Sequence, residues 1–143
     1  MPRCDMRSLD GLSHVSLTVA DMQRARWFWT TVMGFEVGIE VPGATVCVHR
    51  GSGTVVGFRD HAGTVTGSFD ETRVGMDHLA LAVSSADGLG EWASWLDQHD
   101  VEHSDVAESD LGHHLNLRAP DDIAVELFVL KPEVAAALGV ATD

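Results

Sequence analysis

Residues 12–19 read LSHVSLTV, and residues 76–83 read MDHLALAV in a similar arrangement. Large apolar residues alternate with small or hydroxyl residues in both stretches, which is the period of a half-buried β-strand. A histidine lies near the start of each stretch, His14 in the first and His78 in the second. The repeated placement predicts one shared role for the two histidines, on the strand face that carries the smaller side chains.

Each of these strands opens a longer repeat, in which a polar turn, a helix and three more strands follow. Asp21 and Asp87 are placed to cap the two helices. The tryptophans of the helices are expected to pack in the core: Trp27, Trp29, Trp92 and Trp95. The later strands are predicted over 35–41, 44–50, 53–61, 101–108, 111–118 and 122–130.

The repeat organises a single domain of 143 residues into two βαβββ modules of α+β class. We predict module one over about 11–61, a linker over 62–75 and module two over about 76–130. A C-terminal tail over 131–143 is expected to form a short helix after Pro132. The linker residues DETR at 70–73 are interpreted as solvated chain, with a mobile lid as the alternative.

Composition limits the classes of partner. The net charge is −13 and Lys131 is the single lysine, which argues against nucleic acid and against anionic membranes, since both need a basic face. No apolar run approaches the roughly 20 residues of a membrane span, and the first residues carry no secretory signal, so a cytoplasmic protein is expected. The only cysteines, Cys4 and Cys47, predict no disulfide.

Three side chains make a candidate metal-ligand set. Glu126 faces away from the aliphatic side chains of its strand, and a carboxylate there needs an arginine, a protonated histidine or a metal beside it. Two imidazoles and one carboxylate, from His14, His78 and Glu126, would leave coordination positions open for oxygen or substrate. The alternative is two hydrogen-bonded core histidines and an acid paired with arginine.

The motifs LSHVSLTVAD, MDHLALAV and RAPDDIAVELF resemble those of the vicinal oxygen chelate superfamily, over about residues 11–130. This superfamily includes glyoxalase I, extradiol dioxygenases, methylmalonyl-CoA epimerase, fosfomycin resistance proteins and bleomycin-binding proteins. The resemblance implies curved mixed sheets around a central cavity, with a divalent metal (Fe, Mn, Zn or Ni) on His14, His78 and Glu126. Ala119 replaces the aspartate usual in the last motif.

The resemblance also implies a homodimer. In such a dimer His14 of one subunit joins His78 and Glu126 of the other; the alternative is a site within one chain.

The repeat places Gly57 over Glu126, at a position where glyoxalase I-like members carry a fourth ligand. Lactoylglutathione lyase activity is therefore disfavoured. Three ligands resemble the extradiol dioxygenases and the fosfomycin transferases, and Ser16 matches a hydroxyl residue of the latter. Their potassium-binding loop has no counterpart in this sequence. For a phosphonate, Lys131 offers little, which leaves Arg59 or Arg118.

Further polar residues are candidates for the site. His114 and Glu126 are assigned as catalytic groups, and Ser16, Arg59 and Asn116 as substrate-binding groups. His61 shares a strand face with Arg59 if the strand stays regular, and is either a substitute ligand or, near the strand end, a surface or loop residue. The remaining histidines considered are expected at the surface: His49, His99 and His103.

The sequence favours a divalent-metal enzyme that acts on a small molecule through two adjacent oxygens, by lyase/isomerase-like or extradiol-dioxygenase-like chemistry. The alternative is a metal-free drug-binding protein that sequesters its ligand. Retention of the three ligands argues against that alternative, and the −13 charge, which suits a cationic drug, argues for it.

Overall fold

The computed structural model describes residues 7–140, so Cys4 and the end of the predicted tail lie outside it. The chain divides into two compact units, one up to Val65 and one from Thr66 onward. Each unit holds one four-stranded mixed sheet and a helix between its first and second strands. The predicted α+β class with two βαβββ modules is confirmed.

The first unit contains four strands and a helix in the predicted order. Its sheet has the spatial order β1-β4-β3-β2, in which β1 runs parallel to β4 and the other pairs are antiparallel. The elements are β1 (Val15–Thr18), α1 (Met22–Trp27), β2 (Glu36–Val41), β3 (Ala44–His49) and β4 (Thr54–Arg59).

The second unit repeats this topology, with the order β5-β8-β7-β6 and a parallel β5–β8 pair. The elements are β5 (Leu79–Ala82), α2 (Ala86–Gln98), β6 (Ala107–Glu108), β7 (Gly112–Arg118), β8 (Ala124–Leu130) and α3 (Pro132–Leu138). The strand predicted over 101–108 is reduced to two residues and an isolated bridge between His103 and Leu117. The predicted helix after Pro132 is present, and Gly139 ends it with a φ of 68°.

The helix starts differ from prediction in one case. Asp21 caps α1, since its carboxylate accepts hydrogen bonds from the amides of Gln23 and Arg24. The cap of α2 is Ser85, whose hydroxyl accepts from the Gly88 amide at 3.2 Å, so the prediction of Asp87 was wrong. Asp87 lies in the first turn, where its charge favours the helix dipole.

The first helix ends in a π-helical turn over Phe28–Val32, which the sequence pattern did not reveal. Phe28, Trp29 and Val32 of this turn are buried. Trp27 and Trp95, by contrast, are 44% and 39% exposed, so the expectation of core packing was wrong for these two tryptophans.

Each sheet has one buried face and one open face. The buried faces carry the aliphatic and aromatic residues of the alternating pattern: Leu17, Cys47, Val56 and Phe58 in the first unit, and Leu115, Leu117, Val125 and Leu127 in the second. The open faces carry the small and polar residues, and most of these side chains are exposed or half-buried. The open face is the one on which the sequence pattern predicts His14 and His78.

Residues 69 and 71, before β5, each contact another part of the second unit. The Phe69 amide donates to the Asp121 carbonyl at 2.8 Å, and Glu71 forms an ion pair with Arg118 at 2.6 Å. The interpretation of residues 70–73 as freely solvated linker was therefore wrong for Glu71. Between residues 7 and 140, no helix combines the length and apolarity needed to cross a membrane.

Candidate functional site

The two histidines of the repeat lie directly before β1 and β5, and each ring is oriented by the residue that precedes it. The Nδ1 atom of His14 is 3.0 Å from the Ser13 hydroxyl, and Nδ1 of His78 is 2.7 Å from a carboxylate oxygen of Asp77. A neutral His78 that donates from Nδ1 to Asp77 keeps the Nε2 lone pair for another partner. Histidines that bind metals are commonly oriented in this way.

His78 meets Glu126 on the open face of the second sheet. The distance from His78 Nε2 to Glu126 Oε1 is 3.6 Å, and the side chains are 42% and 14% exposed. Metal bonds to imidazole nitrogen and carboxylate oxygen measure about 2.0–2.2 Å, so a single ion can bond to both atoms across this gap. These two residues therefore fit a divalent metal.

The third member of the predicted set, His14, belongs to the first unit. Among residues 7–140, no group of three or more His, Cys, Asp or Glu side chains is gathered closely enough to hold a metal ion. The structure thus brings together His78 and Glu126, and the role of His14 stays a prediction based on the repeat.

The strand registers identify Gly57 as the counterpart of Glu126. In the first sheet Ser16 pairs with Gly57, and in the second Ala80 pairs with Glu126. Ser16 and Ala80 each lie two residues beyond a histidine of the repeat. The duplicated site therefore has a carboxylate in one unit and no side chain in the other.

The other residues predicted on β7 share the open face with Glu126. Asn116 pairs with Glu126 across the strands and is exposed. His114 pairs with Phe128, and their rings are stacked with centroids 6.1 Å apart and planes at 9°. Nδ1 of His114 is buried without a hydrogen-bond partner in the described part of the chain. A buried unpaired nitrogen is costly, so a bound ligand or water would stabilise this ring.

Arg118, the third polar residue on the open face of β7 after His114 and Asn116, already binds other groups. Its guanidinium contacts both carboxylate oxygens of Glu71, at 2.6 and 3.4 Å, and donates to the Asp122 carbonyl at 3.0 Å. The hydrogen bond from Arg118 lowers the pKa of the Glu71 carboxyl, and the same bond raises the pKa of Arg118. Of the two arginines considered for an anionic substrate, Arg118 thus has its charge compensated.

The first sheet carries the remaining predicted residues on its open face. Ser16 and Arg59 are exposed, and Arg59 pairs with Thr18 across β1 and β4. His61 lies past the end of β4 in a short turn, and its Nε2 is 3.2 Å from the Thr18 hydroxyl. The strand predicted to reach residue 61 ends at Arg59, so His61 is not part of a regular strand.

Ser13, Asp77 and Thr18 are functional candidates that sequence reasoning missed. The signal for the first two was present, because a polar residue directly precedes each histidine of the repeat. For Thr18 the sequence indicated only that it lies on the strand face with the small and hydroxyl residues, not that it contacts His61.

These observations define a class: an α+β protein of duplicated βαβββ modules, with a histidine leading into each module and a carboxylate on the last strand. The sequence pattern described as the Glyoxalase/Bleomycin resistance protein/Dioxygenase superfamily matches residues 11–127. The chain belongs to this superfamily. No curated protein matches it.

Solved structures agree with this assignment. A glyoxylase/bleomycin resistance protein/dioxygenase domain from Frankia sp. EAN1pec is 31% identical, with a TM-score of 0.78 over 87% of this chain and 100% of that chain. Lactoylglutathione lyase from Agrobacterium tumefaciens is 14% identical, with a TM-score of 0.69 over 86% and 96% of the two chains.

A third neighbour is the fosfomycin resistance protein FosX from Listeria monocytogenes, complexed with Mn(II) and sulfate. It is 16% identical, with a TM-score of 0.71 over 92% of this chain and 99% of that chain. At such identities the last two likenesses establish the fold alone.

Proposed function

We propose that this protein is a divalent-metal-dependent enzyme that acts on a small molecule bound to the metal through two adjacent oxygens. His14, His78 and Glu126 are the proposed metal ligands. The observation that carries the proposal is the 3.6 Å approach of His78 Nε2 to Glu126 Oε1, with the other ring nitrogen held by Asp77.

A metal bound to two imidazoles and one carboxylate would act as a Lewis acid toward the substrate oxygens. The donor set of nitrogen and oxygen suits Fe, Mn, Zn or Ni. Mn(II) occurs in the Listeria relative, which supports this range without selecting within it.

The chain's own side chains would bind and orient the substrate. Asn116, directly across from Glu126, can hydrogen-bond a substrate oxygen, and Ser16 and Arg59 offer further polar contacts on the first sheet. His114 would transfer a proton, because imidazole is the side chain most often used for this step and His114 lies on the same face as Glu126. Glu126 combines the roles of ligand and catalytic carboxylate.

The reaction class that we propose is lyase/isomerase-like or extradiol-dioxygenase-like. The absence of a side chain at Gly57 argues against a four-ligand lactoylglutathione lyase. We also propose a cytoplasmic homodimer, which sedimentation velocity can test for its oligomeric state.

Elemental analysis of protein purified without a histidine tag tests the metal proposal. We expect close to one metal per chain in the parent and far less than one in Glu126→Ala, since one charged ligand is removed. Glu91→Ala, an exposed helix substitution of the same type, is the matched control. A simple ion pair between His78 and Glu126 predicts no metal in any of the three proteins, and that result would refute the proposal.

The alternative function is a metal-free protein that sequesters a cationic drug. The net charge of −13 favours it, because an acidic surface attracts cations. Calorimetric titration of chelator-treated protein with bleomycin separates the two functions. Tight binding that is independent of Glu126 would favour sequestration.

A further inference from the structure

We propose that the first unit contains an oxyanion-binding site formed by Arg59, His61 and Thr18. The ligand class is a small molecule that carries a carboxylate or phosphate group. The site extends the substrate role proposed above for Arg59, and it is tested without metal, so that its failure and the failure of the metal proposal are distinguishable.

Arg59 and His61 line one depression at the end of β4, and Thr18 lies beside it through its contact with His61. Thr18 and Arg59 are register partners on the open face of the first sheet, and His61 Nε2 lies 3.2 Å from the Thr18 hydroxyl. The depression has a volume of about 450 Å³, and its lining consists of Pro42, Gly43, Arg59, Asp60, His61 and Ala62.

The backbone holds His61 in this place through an unusual turn. His61 and Ala62 have φ angles of 48° and 57°, in the left-handed region that side chains other than glycine rarely adopt. Four hydrogen bonds close the turn: Gly63 amide to Asp60 carbonyl, Thr64 amide and Thr64 hydroxyl to His61 carbonyl, and Ala62 amide to Asp60 carboxylate. Strained backbone of this kind is concentrated at functional sites, and here it turns His61 back toward Thr18.

Arg59 keeps an uncompensated charge. It is exposed and forms no ion pair with any of residues 7–140, whereas Arg118 on the second sheet is held by Glu71. Asp60 is the carboxylate that lines the same depression, and one of its oxygens accepts the Ala62 amide. A planar guanidinium with free donors is suited to binding two oxygens of one anion.

Comparison with the second unit shows that these polar groups are specific to the first. Because Ala82 pairs with Phe128 as Thr18 pairs with Arg59, the equivalents of Thr18, Arg59 and His61 are Ala82, Phe128 and Leu130. Every hydrogen-bonding side chain of the cluster is thus replaced by an apolar one. The fold of the module does not require polar residues at these positions, so the cluster needs another explanation, which an anionic ligand provides.

The hydrogen-bond arrangement also suits an anion. When His61 Nε2–H donates to Thr18, the Thr18 hydroxyl proton remains available for a ligand oxygen. Arg59 and Thr18 then supply donors from adjacent strands, and His61 fixes the orientation of the hydroxyl. His61 is therefore a positioning residue in this site.

Nuclear magnetic resonance titration of the metal-free protein tests the site. The probes are sodium phosphate and sodium acetate, with sodium chloride at equal ionic strength as the reference. We expect phosphate, acetate or both to shift the Arg59 Nε–H and His61 ring signals saturably. Shifts with phosphate alone assign a phosphoryl ligand, and shifts with acetate alone assign a carboxylate.

Variants establish which groups are responsible. Arg59→Gln should weaken binding by about tenfold or more, as expected for loss of charge-assisted hydrogen bonds, and Thr18→Val should weaken it less. Asp60→Asn should strengthen binding, because it removes the neighbouring negative charge. Arg24→Gln, on the exposed side of α1, changes the net charge equally and should leave affinity within about twofold, because Arg24 does not line the depression.

Two results would overturn the proposal. One is the absence of saturable shifts at Arg59 and His61 with both anions. The other is equal weakening by Arg59→Gln and Arg24→Gln, which would mean that binding follows net charge alone. Metal content has no bearing on either result.

Discussion

Gly57 lies directly opposite Ser16 in the first sheet, in the register that places Glu126 opposite Ala80 in the second. A Cβ atom on Gly57 would meet the Thr45 carbonyl at 3.4 Å and nothing closer, which is ordinary van der Waals contact. The position therefore has room for a Cβ atom, so a carboxylate like that of the second unit can be tested there by substitution.

Gly57→Glu should raise the affinity for a divalent metal by about tenfold or more, because it offers a fourth ligand at the duplicated position. Competition with a chromogenic chelator measures this affinity. Gly57→Gln has the same shape without the charge and serves as the control. Equal affinities for the two variants would contradict the assignment of Gly57 as a vacant ligand position.

Mixed dimers locate the proposed third ligand. In a dimer of one His14→Ala chain and one Glu126→Ala chain, a site shared between subunits leaves one intact set of ligands. A site within each chain leaves none. Metal content of the purified mixed dimer should therefore be about half that of the parent for a shared site, by counting intact sites, and close to zero for an in-chain site. Homodimers of each variant provide the baseline.

Gly112 begins β7 where the chain passes very close to β8. A Cβ atom there would lie 2.0 Å from the Val129 carbonyl oxygen and 2.9 Å from a ring carbon of Phe128. Gly112→Ala should therefore destabilise the fold by about 1–3 kcal/mol, as overpacking does, and should disturb the ring on which His114 stacks. Urea unfolding measures the loss.

Gly90 is the matched control for this substitution. It lies inside α2, and a Cβ atom there would meet nothing within 4 Å. Gly90→Ala should stabilise the protein by about 0.5–1 kcal/mol, because alanine is the better helix former. Destabilisation of similar size by both alanines would contradict the steric explanation for Gly112.

His103 should make stability depend on pH. Its Nδ1 is 2.7 Å from the Ser104 carbonyl and its Nε2 is 2.7 Å from an Asp97 oxygen. Two acceptors favour the doubly protonated ring, so the Ser104 carbonyl first and Asp97 second raise the pKa of His103. This contribution is fully present below the ordinary histidine pKa of about 6.5 and is lost as the pH rises through the higher folded value.

Urea unfolding across this pH range should show a loss on the order of 1 kcal/mol for the parent. His103→Gln should abolish this pH dependence. An unchanged pH profile in the variant would assign the effect to another group. The prediction also replaces the expectation that His103 is a plain surface residue, since its side chain is 13% exposed.

Much of the fold was predictable because it depends on local pattern. The alternation of large apolar with small or hydroxyl residues in 12–19 and 76–83 correctly predicted which strand face is buried. Gly139 correctly predicted the end of the last helix. The stretch 101–108 was predicted as a strand, but its residues are mostly polar and do not alternate strongly, so only Ala107–Glu108 pairs regularly with β7. The π-helical turn at Phe28–Val32 has no periodic signature of its own.

The candidate site was predictable in its residue types and not in its contacts. The meeting of His78 with Glu126 follows from strand pairing, which the repeat indicated. The Glu71–Arg118 ion pair joins residues far apart in sequence, so no local sequence pattern predicts it. The strand predicted over 53–61 extends past Arg59, because no local pattern indicates the left-handed turn at His61 and Ala62 that ends β4 early.

The contact between Glu71 and Arg118 also decides where this chain can be cut. A fragment that starts at Met76, where the sequence repeat begins, would remove Glu71 from Arg118 and the Phe69 amide from the Asp121 carbonyl. A fragment that starts at Thr66 retains both interactions. The compact unit is thus about ten residues longer than the repeated segment, and a fragment designed for expression should follow the compact unit.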